Sequence, residues 1–296
     1  MAALDRKRRG ELLAGVFTVL ARHPDGLKAR DVFPEVEKEV GMTEFEAANY
    51  PGSDVRRFEK TIRFVTINAV KAGWMVKEAG VWTPTDVGLQ AHRETTDPEH
   101  LLLEAQKLYK AWAKAQPDEE PSEDSEAGEE ELSGTSVTLE RAEEASWDEV
   151  RDTLHAMDPY DFQDLVAGLF RGMGYFVEWI APRGKDRGID LVALADPIGT
   201  GGPRIKVQVK REQGKTSATT LRAFYSVLHE GDIGVFVTLG GFTSDAEAEA
   251  RTETRRIRLI DATDFFRLWV RHYEEIPEED RRRLPIKLVP FLAPVE

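Results

Sequence analysis

The chain has 296 residues, enough for two domains that each bury a core, and its 54 Asp and Glu against 40 Lys and Arg give a net charge of −14. It has no cysteine, which excludes disulfides and thiolate-ligated zinc and fits a reducing compartment. No basic-then-apolar leader opens the chain, and the early apolar run at 12–21 is too short to span a bilayer, so a cytoplasmic protein with no membrane partner is expected. The acidity is local. Residues 116–150 hold 14 acids and one base, Arg141, which leaves 40 acids and 39 bases elsewhere. Both flanks are near neutral and free to carry basic patches.

Residues 4–22 place Leu12, Leu13, Val16, Phe17 and Leu20 at helical spacing, behind a basic RKRR lead-in. A turn and a second helix follow in HPDGLKARDVF, and a third helix spans 54–71 with Phe58, Ile62 and Val65 on its apolar side. Then come strand, Gly turn and strand, with Thr85 as an N-cap. Helix, helix, helix, hairpin is the order of a winged helix-turn-helix, and a further helix at 98–115 closes a mostly α domain over 1–115. Arg56, Arg57, Lys60 and Arg63 cluster on the third helix. They are candidates for DNA contact, with a plain solvated helix face or a protein-docking role as the competing readings.

Residues 116–150 are dense in acids, Ser and Gly, the composition of a disordered acidic linker. A spacer is the simpler reading; a polyanion that occupies a DNA groove is the other. The second domain, 151–296, opens with Asp158-Pro159 as N-cap and N1 of a helix carrying Phe162, Leu165, Val166 and Leu169 on one face. A strand at 175–180, a helix at 218–230, a buried strand at 234–239, a strand at 255–260 and a helix at 262–273 follow. The RRR at 281–283 and the apolar tail behind it are candidates for packing across a dimer partner.

The chemistry concentrates at 183–211, RGKDRGIDLVALADPIGTGGPRIKVQVKR. Two β-branched runs, 189–194 and 205–209, flank a Gly/Pro loop and read as a hairpin. Asp190 stands in the first, while Gln208 and Lys210 share a face of the second because strand side chains alternate. An acid, an amide and a lysine on a sheet face are costly to bury unless they bind something. A hard divalent cation takes oxygen ligands of this kind: the Asp190 carboxylate, the Gln208 amide oxygen and the Val209 carbonyl. From spacing alone, polar residues that meet only solvent remain an equal reading.

GIDLVA followed by KVQVKR resembles the PD-(D/E)xK nuclease core in its D…QxK variant, and more narrowly the Mrr family of restriction endonucleases. MDPYDFQDLVAGLFRGMGY before the hairpin, and VFVTLGGFTSDAEAEA and IRLIDATDFFRLW after it, stand in the family's order over most of 151–276. The resemblance implies a restriction-endonuclease-like mixed sheet flanked by helices, and a Mg²⁺ (or Mn²⁺) dependent endonuclease that acts on double-stranded DNA and restricts foreign or modified DNA. It implies Asp190, Gln208 and Val209 as metal ligands and Lys210 as the residue that orients water and offsets phosphate charge. The family's helix-borne Glu is Gln163 here, an amide able to accept a hydrogen bond but bringing no charge. D-x-G-x-D at 186–190 has Arg187 where the family has Gly; Arg187, Arg211 and Lys215 are candidates for phosphate contact. Cutting both strands implies a homodimer or larger assembly. Two other readings stay open: a DNA-binding module that does not cut, and an effector nuclease gated by a partner or ligand at its N-terminal domain.

Overall fold

Apolar residues recurring every three or four positions give a helix at each stretch where the sequence predicts one, and the β-branched runs give strands, in a computed structural model of the chain. It describes residues 5–50, 55–114, 126–184 and 188–289, with only the backbone of 113 and 126–138. Asp186 and Arg187, the segment 115–125 of the expected linker, and 290–296 of the apolar tail lie outside the described residues. Two compact units divide the chain, the first reaching Asp148 and the second Glu149–Val289.

In the first unit, α1 (Arg6–Ala21) begins where Asp5 accepts the Arg8 amide at 2.7 Å. β1 (Leu27–Lys28), α2 (Ala29–Val40) and α3 (Glu44–Ala47) follow, the last closed by a Thr43–Glu46 capping box. Next come α4 (Arg57–Lys71), the hairpin of β2 (Met75–Glu78) and β3 (Val81–Pro84), α5 (Asp86–Glu94) behind its Thr85 cap, and α6 (Pro98–Lys114). The strands form an antiparallel sheet in the order β1-β3-β2. Ala79 and Gly80 turn the hairpin with φ of 52° and 72°, the sign that a two-residue turn between twisted strands requires. Phe17, Phe33, Phe58, Trp74 and Trp82 anchor the core, whose buried members all lie between residues 12 and 105.

The expected disordered linker is corrected from residue 126 onward: α7 (Glu126–Ala156) is one long helix. Composition measures how many charges a segment holds, not their phase. Glu140, Glu144 and Asp148 recur every four residues and share a helix face, where they meet basic side chains.

The second unit adds α8 (Pro159–Gly172), capped by Asp158 as the sequence predicts, then β4 (Phe176–Ile180), β5 (Leu191–Leu194) and β6 (Ile205–Lys210). α9 (Ala218–Tyr225), β7 (Ile233–Thr238), α10 (Ser244–Thr252), β8 (Ile257–Ile260), α11 (Ala262–Arg271) and α12 (Glu278–Arg281) complete it. The five strands lie in chain order; β4-β5-β6 pair antiparallel and β6-β7-β8 parallel, a mixed sheet as expected. Helices cover both faces. Phe162 of α8 meets Phe265 of α11 at 5.6 Å, and Phe236 of β7 meets Phe224 of α9 at 5.5 Å on the other side. The arginines at 281–283 fold back on their own unit, Arg283 pairing with Asp161 and Asp164 while Leu284 is buried. That part of the expected dimer segment is satisfied within the chain.

Candidate active site

The open end of β6 collects the candidate residues. Lys206, Gln208 and Lys210 share one face of the strand by alternation. Lys206, deepest of the three, is buried and held by the Asp232 carboxylate and the Val227 carbonyl, each at 2.8 Å. Burial pushes the Asp232 carboxyl up, but hydrogen bonds from Lys206, the His229 amide and Arg204 outweigh it and hold the group below the usual range. Gln208 and Lys210 are partly exposed, and Lys210 is 3.3 Å from the exposed Glu212, a pairing the sequence reading missed although the two are only two residues apart.

Asp190 stands just before β5 rather than inside it and is 5% exposed. Its amide donates to the Val207 carbonyl at 2.8 Å, and its carboxylate accepts the Val209 amide at 2.7 Å. The Lys210 carbonyl accepts from Leu239 on the β7 side, so by alternation the Val209 carbonyl faces the opposite side, toward Asp190. A carboxylate, a backbone carbonyl and a neighbouring amide side chain thus gather at one strand end. This oxygen-rich set fits a hard divalent cation. Among the described residues no group of three or more His, Cys, Asp or Glu is arranged to hold a metal.

Gln163 is 6% exposed on α8 and donates through Nε2 to the Ala181 carbonyl at 2.8 Å. The Ala181 amide in turn donates to the Asp190 carbonyl at 2.8 Å. Gln163 therefore supports the peptide on which Asp190 is mounted, and a side chain with an N–H is what this position needs. Gly188, two residues before Asp190, has φ of +78°, a conformation that glycine adopts without strain.

Beyond β6 the chain packs against the loop after β7. The Thr216 amide donates to the Gly241 carbonyl at 2.9 Å, and a Cβ on Gly240 would lie 2.2 Å from the Gly214 carbonyl oxygen. Arg211 is placed differently from the expectation of a phosphate contact: its guanidinium donates to the His155 carbonyl near the end of α7. Lys215 is exposed and Thr216 is buried.

The basic cluster of α4 is engaged inside its own unit. Arg56 bonds Glu37 and Glu59 at 3.0 and 2.9 Å. Arg57 lies 4.6 Å over the Phe45 ring and Lys60 3.2 Å over Tyr50. Arg63 corrects the expected solvent-facing cluster: it is 3% exposed, stacked 4.9 Å over Phe33, and forked onto Glu144 at 2.9 and 2.6 Å. Burial works against its charge, but Glu144 and Glu140 outweigh burial and raise the guanidinium further.

Comparison with known proteins bears on the second unit. Residues 154–269 match the Mrr_cat family model, described as Restriction endonuclease. No curated protein matches the chain. A solved structure titled MspJI Restriction Endonuclease in Complex with 27-mer Oligonucleotide is similar at 16% identity with a TM-score of 0.32, over 69% of this chain and 47% of that one. The chain thus spans less than half the length of that neighbour. Residues 154–269 form a restriction-endonuclease-like domain with a five-stranded mixed sheet. Among the described residues no helix is long and apolar enough to cross a membrane.

Proposed function

We propose that the restriction-endonuclease-like domain is a divalent-metal-dependent DNA endonuclease, Mg²⁺ or Mn²⁺ serving as the cation, with Asp190, Gln208 and the Val209 carbonyl as its ligands. One observation carries the reading: Asp190 is buried yet fixed on the Val209 amide at 2.7 Å, beside Lys210, within the matched segment. A bound cation would supply positive charge against the scissile phosphate and lower the pKa of water. The residues of the chain do the rest. Asp190, held from both sides through its backbone and carboxylate, presents a fixed anionic ligand. Gln163 is a positioning residue acting through Ala181. Lys210, at the solvent end of β6, reaches a phosphoryl oxygen or orients the attacking water, at the cost of its exposed partner Glu212. Lys215 is a candidate for contact with the DNA backbone.

The first unit, read as a winged helix-turn-helix, would supply further DNA contact, and a homodimer would supply the second site that double-strand cleavage needs. Restriction of foreign or modified DNA in the cytoplasm is the biological setting that this reading implies. A second reading, a DNA binder that does not cut, is favoured by one fact: the Gln163 amide nitrogen is committed to Ala181, and this helix position brings an amide rather than a carboxylate. Incubating methylated and unmethylated plasmid with the full chain in Mg²⁺, Mn²⁺ or EDTA separates the two. Cutting only with metal supports the nuclease, and binding without cutting under every condition supports the binder.

A further inference from the structure

The acidic face of α7 meets a basic surface of the first unit that no element of the expected DNA contact, apart from Arg63, contributes to. Glu140 bonds Lys77 of β2 at 2.8 Å and Arg63 of α4 at 2.9 Å. Glu144 forks onto Arg63, and Asp148 bridges Lys28 of β1 and Arg30 of α2 at 3.0 and 3.1 Å. Four bases from four separate elements thus converge on one helix face, where acids recur every four residues, about 6 Å apart along the axis.

Three observations distinguish this contact from ordinary packing. Among the described residues the buried apolar core of the unit takes no side chain from α7, while Glu140, Glu144 and Asp148 meet the unit through ion pairs. Charge contacts exchange readily for another polyanion, whereas an apolar seam does not. Second, the surface beneath is aromatic as well as basic: Lys77 lies 4.0 Å over Trp82, and Arg63 lies over Phe33 and Trp82. Third, Arg63 Nε and Trp82 Nε1 are buried without a hydrogen-bond partner among the described residues, leaving donors unused beneath the helix. A permanent strut would be expected to satisfy such groups.

We infer that Lys28, Arg30, Arg63 and Lys77 form a surface for the phosphate backbone of duplex DNA, and that the acidic face of α7 covers it and competes with DNA for it. The choice of DNA as the polyanion rests on the nuclease reading of the second unit; the masking of the basic surface does not.

The test measures binding of a labelled duplex by the full chain in EDTA, so that cleavage plays no part. The combined variant Glu140→Gln, Glu144→Gln, Asp148→Asn should bind at least about ten-fold more tightly than the parent at low salt, the gain shrinking as salt rises. Adding Arg30→Ala and Lys77→Ala should abolish the gain. A second variant guards against misfolding. A Cβ on Gly80 would lie 3.7 Å from the Cβ of Glu144, within disulfide range, and the chain has no cysteine to interfere. Gly80→Cys with Glu144→Cys should bind DNA weakly when oxidised and more tightly once reduced, although the positive φ at Gly80 strains the turn. Equal affinity in both redox states, or a folded acid-neutralised variant that gains nothing, overturns the inference. Tighter binding to RNA than to DNA of the same sequence overturns the choice of ligand. No cutting by the parent in a separate assay with Mg²⁺ or Mn²⁺, with the redox-dependent binding present, would count against the nuclease reading alone.

Discussion

Gln163→Glu exchanges one amide nitrogen for an oxygen at a position 6% exposed, where that nitrogen donates to the Ala181 carbonyl at 2.8 Å. An ionised carboxylate there would face the carbonyl with no proton to share, inside the α8 packing layer. Its escape is to take up a proton, because a neutral carboxyl can donate where the amide did. Keeping neutral at pH 7 a carboxyl that ionises near pH 4.3 when unfolded costs about 1.36 kcal/mol for each of roughly 2.7 units, or about 3.7 kcal/mol. At pH 5 the same cost is about 1 kcal/mol. The folded pKa is raised above the unfolded one, so stability relative to the parent is greatest below about pH 4.3 and falls as pH rises toward the folded value. Urea unfolding of the full chain and the variant in EDTA, at pH 5 and pH 7, measures both gaps. A variant as stable as the parent at pH 7 would refute the positioning role. So would a gap that Mg²⁺ closes, since the introduced carboxyl would then face a cation rather than Ala181.

Further outcomes are expected elsewhere. Burial pushes the Glu46 carboxyl up, but Arg8 at 2.9 Å and Thr43 outweigh it and hold the group below the usual range. Glu46→Gln should cost about 2–3 kcal/mol at pH 7 by thermal unfolding, and the difference should shrink as pH falls from about 4.3, where the unfolded carboxyl protonates, and vanish only below the lowered folded value. Phe236→Ala, in the buried strand facing Phe224 and Phe242, should cost about 3–5 kcal/mol in the same assay. Gly240→Ala forces a methyl against the Gly214 carbonyl, and should lower stability by about 1–3 kcal/mol and slow cleavage by displacing the loops after β6 and β7.

Much of the fold was legible because it rests on local rules. Asp158-Pro159 and Thr85 each cap the helix that the sequence assigns to them, and the continuous apolar run of β7 is buried between two helical layers. Asp190, Gln208, Val209 and Lys210 come together at one strand end because hairpin register is a short-range property. What escaped the sequence depends on distant partners. Nothing near residue 63 says that Phe33, Trp82 and Glu144 will enclose it, so Arg63 read as a surface base. The spacing of Glu140, Glu144 and Asp148 was visible, but Lys28, Arg30 and Lys77, which give it meaning, lie 63 to 120 residues away. The direction of the Gln163 amide was likewise unreadable, since it depends on a carbonyl in another element.

The nuclease reading stands most directly on one measurement: supercoiled plasmid incubated with the full chain, Asp190→Ala and Lys210→Ala, each with Mg²⁺ and with EDTA, alongside DNA binding in EDTA and circular dichroism. The account predicts metal-dependent cutting by the parent and none by either variant, with folding and DNA binding largely retained. Cutting by either folded variant at the parent's rate would contradict it.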